Sequence, residues 1–352
     1  MTAQHVAAAP ATRRPRRPIR PFVSVVVIGL CLLLVAGLLL GTVSLPLFDT
    51  IGVLGHRLLG LPAGTWAAST ETIVMELRLP RVLGAMVVGA GLGISGAVLQ
   101  GLLRNPLADP YVLGTASGAA LGAAVGILLP VQALLLGFGI TGVLAFLGAL
   151  AAVALVVRLA GAGTDSRASV LLVGYAVGSV LAAGLALAMY LSGDDLRRIV
   201  AFLLGSFADV TWSQVAIALP VIVAGTLLIV SRARSLDAML LGDDAAAHLG
   251  IDVRRERRIL LALSALVTAM GVAMAGLIGF VGLVVPHVVR LVAGPSARSV
   301  LPLSALVGAA FMVGADLIAR IPGELPVGIV TALVGVPVFL VLLRRARGAY
   351  EL

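Results

Sequence analysis

Ten times along this chain a run of about twenty residues passes with almost no charged side chain, the length an α-helix needs to cross roughly 30 Å of hydrocarbon. The runs lie near 22–45, 82–104, 111–129, 135–158, 168–191, 213–231, 257–277, 280–294, 301–319 and 327–343. Of the 352 residues 60% are hydrophobic and 12% charged, with a mean hydropathy of +1.14. A water-soluble fold could not cover so much apolar surface with so few charges. The 42 glycines and scarce aromatic residues suit helices that approach closely in lipid. The expected fold class is all-α, a polytopic membrane protein with about ten transmembrane helices. The run at 280–294 is short and glycine-rich, and is expected to be tilted, broken or continuous with its neighbour.

Arginine placement orients the runs. All 25 basic residues are Arg, and the absence of Lys excludes a P-loop, whose lysine holds nucleotide phosphates. With the N-terminus inside, one side receives Arg13, Arg14, Arg16, Arg17, Arg20, Arg104, Arg158, Arg167, Arg232, Arg234, Arg254, Arg255, Arg257, Arg258, Arg290, Arg298, Arg344, Arg345 and Arg347. The other receives Arg57, Arg78, Arg81, Arg197, Arg198 and Arg320. That positive-inside bias places both termini in the cytoplasm, and one span more or fewer would spoil it. The net charge of +9 is thus a topology signal, and no nucleic-acid partner is expected. Cys31 is the one cysteine, so no intrachain disulfide or Cys-based metal site is expected.

Residues 1–21 carry five arginines among prolines and read as a disordered basic cytoplasmic tail. The run 22–45 is too long for a signal-peptide core and lacks a clear small-residue cleavage site, so it reads as a retained first span. The segment 235–253, SLDAMLLGDDAAAHLGIDV, holds four of the 16 acidic residues. It reads as two short helices: Gly242 ends the first, Asp243 caps the second through its carboxylate, and Gly250 ends that one. By the arginine count it is cytoplasmic. Two connectors on the opposite side are long enough to fold. In 46–80, Leu47, Ile51, Leu54 and Leu58 form a helical stripe, and Thr70 can cap a short helix leading into the second span. In 192–212, Asp194 and Asp195 precede an apolar run that could lie along the interface.

The stretch 78–118 has a well-marked inner corner. Arg104 sits at a helix C-terminus, where the dipole favours a cation, and Asn105-Pro106 stops that helix. Asp109 caps the next helix, with Pro110 in its first turn. Gly114, Gly118, Gly122 and Gly126 leave one smooth helix face. Gly93-Ile94-Ser95-Gly96 matches the G-x-S-G pattern of rhomboid-type intramembrane proteases, with His287 as a possible dyad partner. Short Gly/Ser patterns arise easily in so glycine-rich a chain, and ten spans do not fit that plan. Ser95 is expected to bond within its helix or to a neighbour instead. Asp316 and Arg320, four apart, form an intrahelical ion pair by default. Arg78, Arg81 and Arg320 flank the membrane directly and could equally receive an acidic partner.

In order along the chain stand RLPR, SGAVLQ, RNPLADP, LGTASGA, LGDDAAAHLG, GLIGFVGLVVPHVVRL, ADLIAR and ELPVGIVTALVGVPVF. Together these closely resemble the FecCD-type permease subunits of ABC importers for ferric siderophores, haem and cobalamin. The resemblance runs from about Arg78 to Arg345, and the family's ten-span fold agrees with the count above. It implies a permease domain over 22–345 in the bacterial cytoplasmic (inner) membrane. It further implies a dimer with a second permease copy, two ABC ATPase subunits beneath, and an extracytoplasmic substrate-binding protein. Residues 235–253 would then be coupling helices docked in a groove of the ATPase, through Leu240, Leu241, Gly242, Asp243, Ala246, Leu249 and Gly250. The family's outer docking arginines map onto Arg78 and Arg320. The fifth and tenth spans would line the path, with an inner gate near Arg167, Ala168 and Ser169, where the local sequence departs from the family pattern.

The expectation is a transport subunit with no catalytic residue, no metal site and no cofactor of its own, ATP and Mg being held by the partner ATPases. Ferric siderophore is the expected cargo, with haem and cobalamin as alternatives. An ion-driven secondary transporter would want ionisable residues at the bilayer midplane, and the spans hold almost none away from their ends.

Overall fold

The computed structural model describes residues 19–131, 133–135, 137–160, 167–321 and 323–350, nearly all of them helical. In chain order the helices are α1 (Ile19–Leu39), α2 (Leu47–Leu59), α3 (Ala68–Thr72), α4 (Leu79–Leu102) and α5 (Thr115–Leu128). There follow α6 (Ile140–Leu159), α7 (Arg167–Leu191), α8 (Leu196–Leu204), α9 (Trp212–Ser231), α10 (Ala233–Leu241) and α11 (Asp243–His248). The last four are α12 (Val253–Ala275), α13 (Val281–Ala293), α14 (Ala297–Arg320) and α15 (Val327–Tyr350).

Among the described residues seven helices are long and apolar enough to cross a membrane: α1, α4 with its extension from Ala68, α6, α7, α9, α12 and α14. α5, α13 and the apolar part of α15 are shorter. Each short helix adjoins an irregular segment. Before α5, Asn105-Pro106 ends α4, and the carboxylate of Asp109 accepts from the Tyr111 N–H at 2.9 Å to cap a single 3-10 turn, Pro110–Leu113. The expected cap at Asp109 therefore forms, but on that turn; α5 begins only at Thr115. Loss of hydration raises the Asp109 carboxyl to about 6, against the opposing pull of the Tyr111 N–H.

Between α12 and α13 the chain unwinds over residues 276–280, with Gly276 at φ 70° and Phe280 at φ 69°. The expected short span is thus a separate helix after a break. Unwound backbone in a membrane protein must find partners inside the protein. Here the Tyr111 hydroxyl donates to the Ile278 carbonyl and accepts from the Ile278 N–H, both at 3.1 Å. The Ser206 N–H donates to the Ala275 carbonyl at 2.8 Å, and the Leu277 N–H to that of Phe202 at 3.3 Å.

α4 is the axis of the bundle, buried over almost its whole length against α14, α12, α13 and α9. The contact is made by backbone. A methyl group at Gly89 or Gly93 would overlap the carbonyl oxygen of Gly308 or Ser304 on α14, and one at Gly96 that of Gly282 on α13. α5 and α6 repeat the device. Gly118 and Gly122 face the carbonyls of Gly148 and Leu144, and a Cβ at Gly126 would lie 2.8 Å from the Cα of Thr141. Three of the four expected ladder glycines serve this contact; Gly114 instead turns the chain at φ 77°. α1 lies outermost, packed on α14.

The connector before α4 differs from expectation in two ways. Thr70 caps nothing; it lies inside α3, whose N-cap position is Ala67. The helix then runs without interruption through a π-turn, Ile73–Arg78, into α4. Pro80 has no N–H to donate into that turn, and the Trp212 indole N–H donates to the Met75 carbonyl instead, at 2.7 Å. In α2 the expected stripe faces outward at Leu47, Ile51 and Leu58, while Thr50 and Val53 are buried. An apolar face turned outward suits a helix at a membrane boundary. A two-residue hairpin, β1 (Leu134–Leu135) and β2 (Phe138–Gly139), precedes α6 and occupies the start of the run expected from 135.

Replacing Gly93 with Val should push α4 and α14 apart and cost at least the 1–3 kcal/mol typical of overpacking. Gly29, with open space around it, should accept Ala without effect. Thermal unfolding of the two detergent-purified variants measures the difference.

Candidate functional site

The charged side chains of the α4–α14 pair gather at its two ends. Arg104, just past the C-terminus of α4, meets α10 and α11, so the 235–253 segment lies at that end; Arg78 and Arg81 mark the opposite end. α14 runs antiparallel, with Ala297 beside Asp237 of α10 and Arg320 beside Arg81's partner Asp316.

At the first end the two short helices form as expected. Gly242 separates them at φ 135°, and Gly250, at φ 81°, follows the second. A side chain is strained at both backbone conformations. The expected Asp243 cap is not made. Gly242 holds the N-cap position without a side-chain bond, and the Asp243 carboxylate accepts from Arg104 at 3.2 Å and from Arg257 at 2.7 Å. Two charge-assisted bonds outcompete one to a backbone amide. Arg104 itself stands at φ 47° and also donates to the Met239 carbonyl at the end of α10. Asp237 accepts from the Ala297 N–H at 2.5 Å and from the Ser296 hydroxyl at 2.9 Å, capping α14 from sixty residues away in sequence. Asp252 caps α12 through the Arg255 N–H at 3.0 Å. α10 presses Leu236 and Met239 inward, while Leu241 and Leu249 face outward and Ala246 is buried. Leu240 is half-buried.

Sequence reasoning missed the Asp237 cap, because no local pattern links residues 237 and 297. It also missed Asp252, which sits directly before an arginine-rich helix start and was legible as a cap.

At the opposite end Arg78 and Arg320, expected as docking residues, are 6% and 2% exposed. Arg78 donates to the Leu38 carbonyl at 2.7 Å and to that of Val43. Arg320 pairs with Asp316, its Nε lying 2.9 Å from the carboxylate, and donates to the Gly37 carbonyl at 2.9 Å. The intrahelical ion pair is therefore present. Arg81 completes the group: it holds Asp316 at 3.0 Å and Glu324 at 2.7 Å. The three arginines thus fasten the end of α1 and the α14–α15 connector to α4. Glu324, at φ 61°, was not foreseen from the sequence.

Of the expected gate, the side chains of Arg167 and Ala168 lie outside the described residues, and Ser169 is half-buried in the first turn of α7. The Ser95 hydroxyl donates to the Ser264 carbonyl on α12 at 3.3 Å, a neighbour-helix bond rather than a dyad with His287. Among the described residues no group of three His, Cys, Asp or Glu side chains could hold a metal ion.

Apolar helices, glycine contacts and charges confined to the helix ends define a polytopic membrane protein of tightly packed helices. The chain matches the FecCD transport family over residues 29–345 and belongs to it. It is 46% identical to the cobalamin import system permease protein BtuC of Halobacterium salinarum, over 78% of this chain and 74% of that one. Identity to the hemin transport system permease protein HmuU of Yersinia pestis is 40%, over 80% and 87%. A solved inward-facing structure of a metal-chelate type ABC transporter superimposes with a TM-score of 0.80 at 30% identity, covering 93% of this chain and 99% of that one.

Asp237→Ala should remove the cap of α14 and lower stability by about 1 kcal/mol. Asp244→Ala, on the exposed side of α11, should leave the thermal midpoint unchanged.

Proposed function

We propose that this chain is the permease of an ATP-binding cassette importer that carries a ferric-siderophore-type iron chelate across the bacterial cytoplasmic membrane. It works with a second permease copy, two ATPase subunits that bind ATP and Mg, and an extracytoplasmic substrate-binding protein. The observation that carries the reading is the α10–α11 pair. Two short helices, separated by Gly242, are pinned to the end of α4 by Arg104, to α12 by Asp243–Arg257 and to α14 by Asp237. Their outer edge presents Leu241 and Leu249 to a partner. A pinned pair transmits the closure of an ATPase dimer as a displacement of the bundle, where a floppy loop would absorb it.

The arginine bias supports the topology, with ten spans and α10–α11 on the cytoplasmic side. The path would lie along α7 and α15, with an inner gate near Arg167, Ala168 and Ser169. At the outer end Arg78 and Arg320 are the docking residues for acidic groups on the binding protein. The charges cluster at the two ends, which favours a device driven from its ends over an ion-coupled transporter with midplane carboxylates. Relatives named for cobalamin and for hemin keep both of those cargoes as alternatives. Large chelates moving between small, apolar side chains leave no coded polar site to choose among them.

Gly242→Leu or Gly250→Leu should leave the permease folded in the membrane while ATPase recovered by co-purification falls several-fold. Undiminished recovery together with normal ferric-siderophore uptake would count against the coupling role.

Arg78→Glu with Arg320→Glu should abolish the stimulation of ATP hydrolysis by the binding protein, because reversal sets like charges face to face. The measurement belongs at low salt, where such contacts are strongest. If these arginines serve only to pin α1, expression and thermal stability fall instead, and the surviving protein is still stimulated.

A further inference from the structure

Arg78, Arg81, Arg320 and Asp316 are respectively 6%, 8%, 2% and 1% exposed, so an incoming carboxylate cannot reach the cations as they stand. The side chain of Glu324, at 39% exposure, is the outermost member of the group. We propose that Glu324 holds, from within the chain, the place on Arg81 that a carboxylate of an acidic protein partner takes on docking. Docking is then an exchange of one carboxylate for another. The inference rests on reading this end as the docking site of the substrate-binding protein.

The other partners in the group cannot leave cheaply. Asp316 is embedded in α14 and accepts from Arg81 Nε at 3.1 Å, Arg81 Nη2 at 3.0 Å and Arg320 Nε at 2.9 Å. Arg78 and Arg320 also bind backbone carbonyls of Gly37, Leu38 and Val43, which move only if the end of α1 moves. Glu324 lies in the short connector between α14 and α15 and meets Arg81 Nη1 at 2.7 Å. Its own φ is 61° and that of Gly323 is 107°. A left-handed backbone is unfavourable for a glutamate, so the connector holds Glu324 over Arg81 in a conformation that itself costs free energy. Charge points the same way. Three guanidinium groups face two carboxylates, and withdrawing Glu324 leaves a net charge of two toward solvent, with free donors on Arg81 for a bidentate carboxylate.

The bland reading makes Glu324 a clamp that fixes residues 323–326 before α15 and nothing more. The two differ in the sign of one effect. In the complete transporter, Glu324→Gln removes the competing charge at nearly constant shape. The concentration of binding protein that half-saturates stimulated ATP hydrolysis should then fall about fivefold, the equivalent of a partly exposed ion pair. In an Arg81→Gln background the same change should give no gain. An unchanged or raised half-saturating concentration in Glu324→Gln overturns the exchange, and a lower thermal midpoint without tighter docking assigns Glu324 to the clamp. If the Arg78→Glu, Arg320→Glu protein keeps full stimulation, the docking site itself is misplaced. If that protein loses stimulation and Glu324→Gln does not tighten, only the exchange fails.

Discussion

A carbonyl oxygen of α14 stands where any side chain at Gly93 of α4 would have to be, and the reverse holds for Gly308 against the carbonyl of Gly89. In lipid no hydrophobic drive separates helix from tail, so association depends on contact made this close. The axial position of α4 follows from it. A helix with glycine toward α14 at residues 89 and 93, toward α12 at 91 and toward α13 at 96 can be surrounded on all sides without a gap. α5 and α6 are joined by the same means, and α1, without such a seam, is left on the outside.

That seam makes α4 and α14 a single antiparallel strut of 24 residues in each member, about 36 Å from end to end. Each end of the strut carries charge that binds peripheral elements to it. At one end Arg104 and Asp237 hold α10 and α11; at the other Arg81, Asp316 and Arg320 hold the end of α1 and the connector to α15. The apolar length between them has no charged side chain to pull it apart. In the proposed importer the partners that hydrolyse ATP and deliver cargo act on these two ends, and a stiff strut is what lets one end sense the other.

The places where sequence reasoning failed share a cause. Asp243 sits where a helix cap belongs, and its local sequence says so; what removed it from that role were Arg104 and Arg257, 139 and 14 residues away. Thr70 failed as a cap because the helix did not start there: α3 runs on through a π-turn whose Met75 carbonyl is served by Trp212. The stripe of α2 was visible, but which way it faced depended on Thr50 and Val53 finding the bundle. Where the signal was strictly local, at Gly242, Gly250, the Asp109–Pro110 corner and the Asp316–Arg320 spacing, sequence and structure agree.

By itself the sequence determined that this chain lives in a membrane, which segments are helical, where two short helices interrupt them and which family it belongs with. Those properties rest on hydropathy, backbone stops and the order of short motifs, all read within a few residues of one another. Tertiary structure alone decided which arginine meets which carboxylate, that Arg78 and Arg320 are buried, and that Glu324 stands over Arg81. It also decided that the chain breaks between α12 and α13, where Tyr111 and Phe202 take up the freed backbone groups of Leu277 and Ile278. The reason is physical: an ion pair or an orphaned carbonyl is settled by whichever partner the packed glycine seams bring within 3 Å, and that partner is seldom near in sequence.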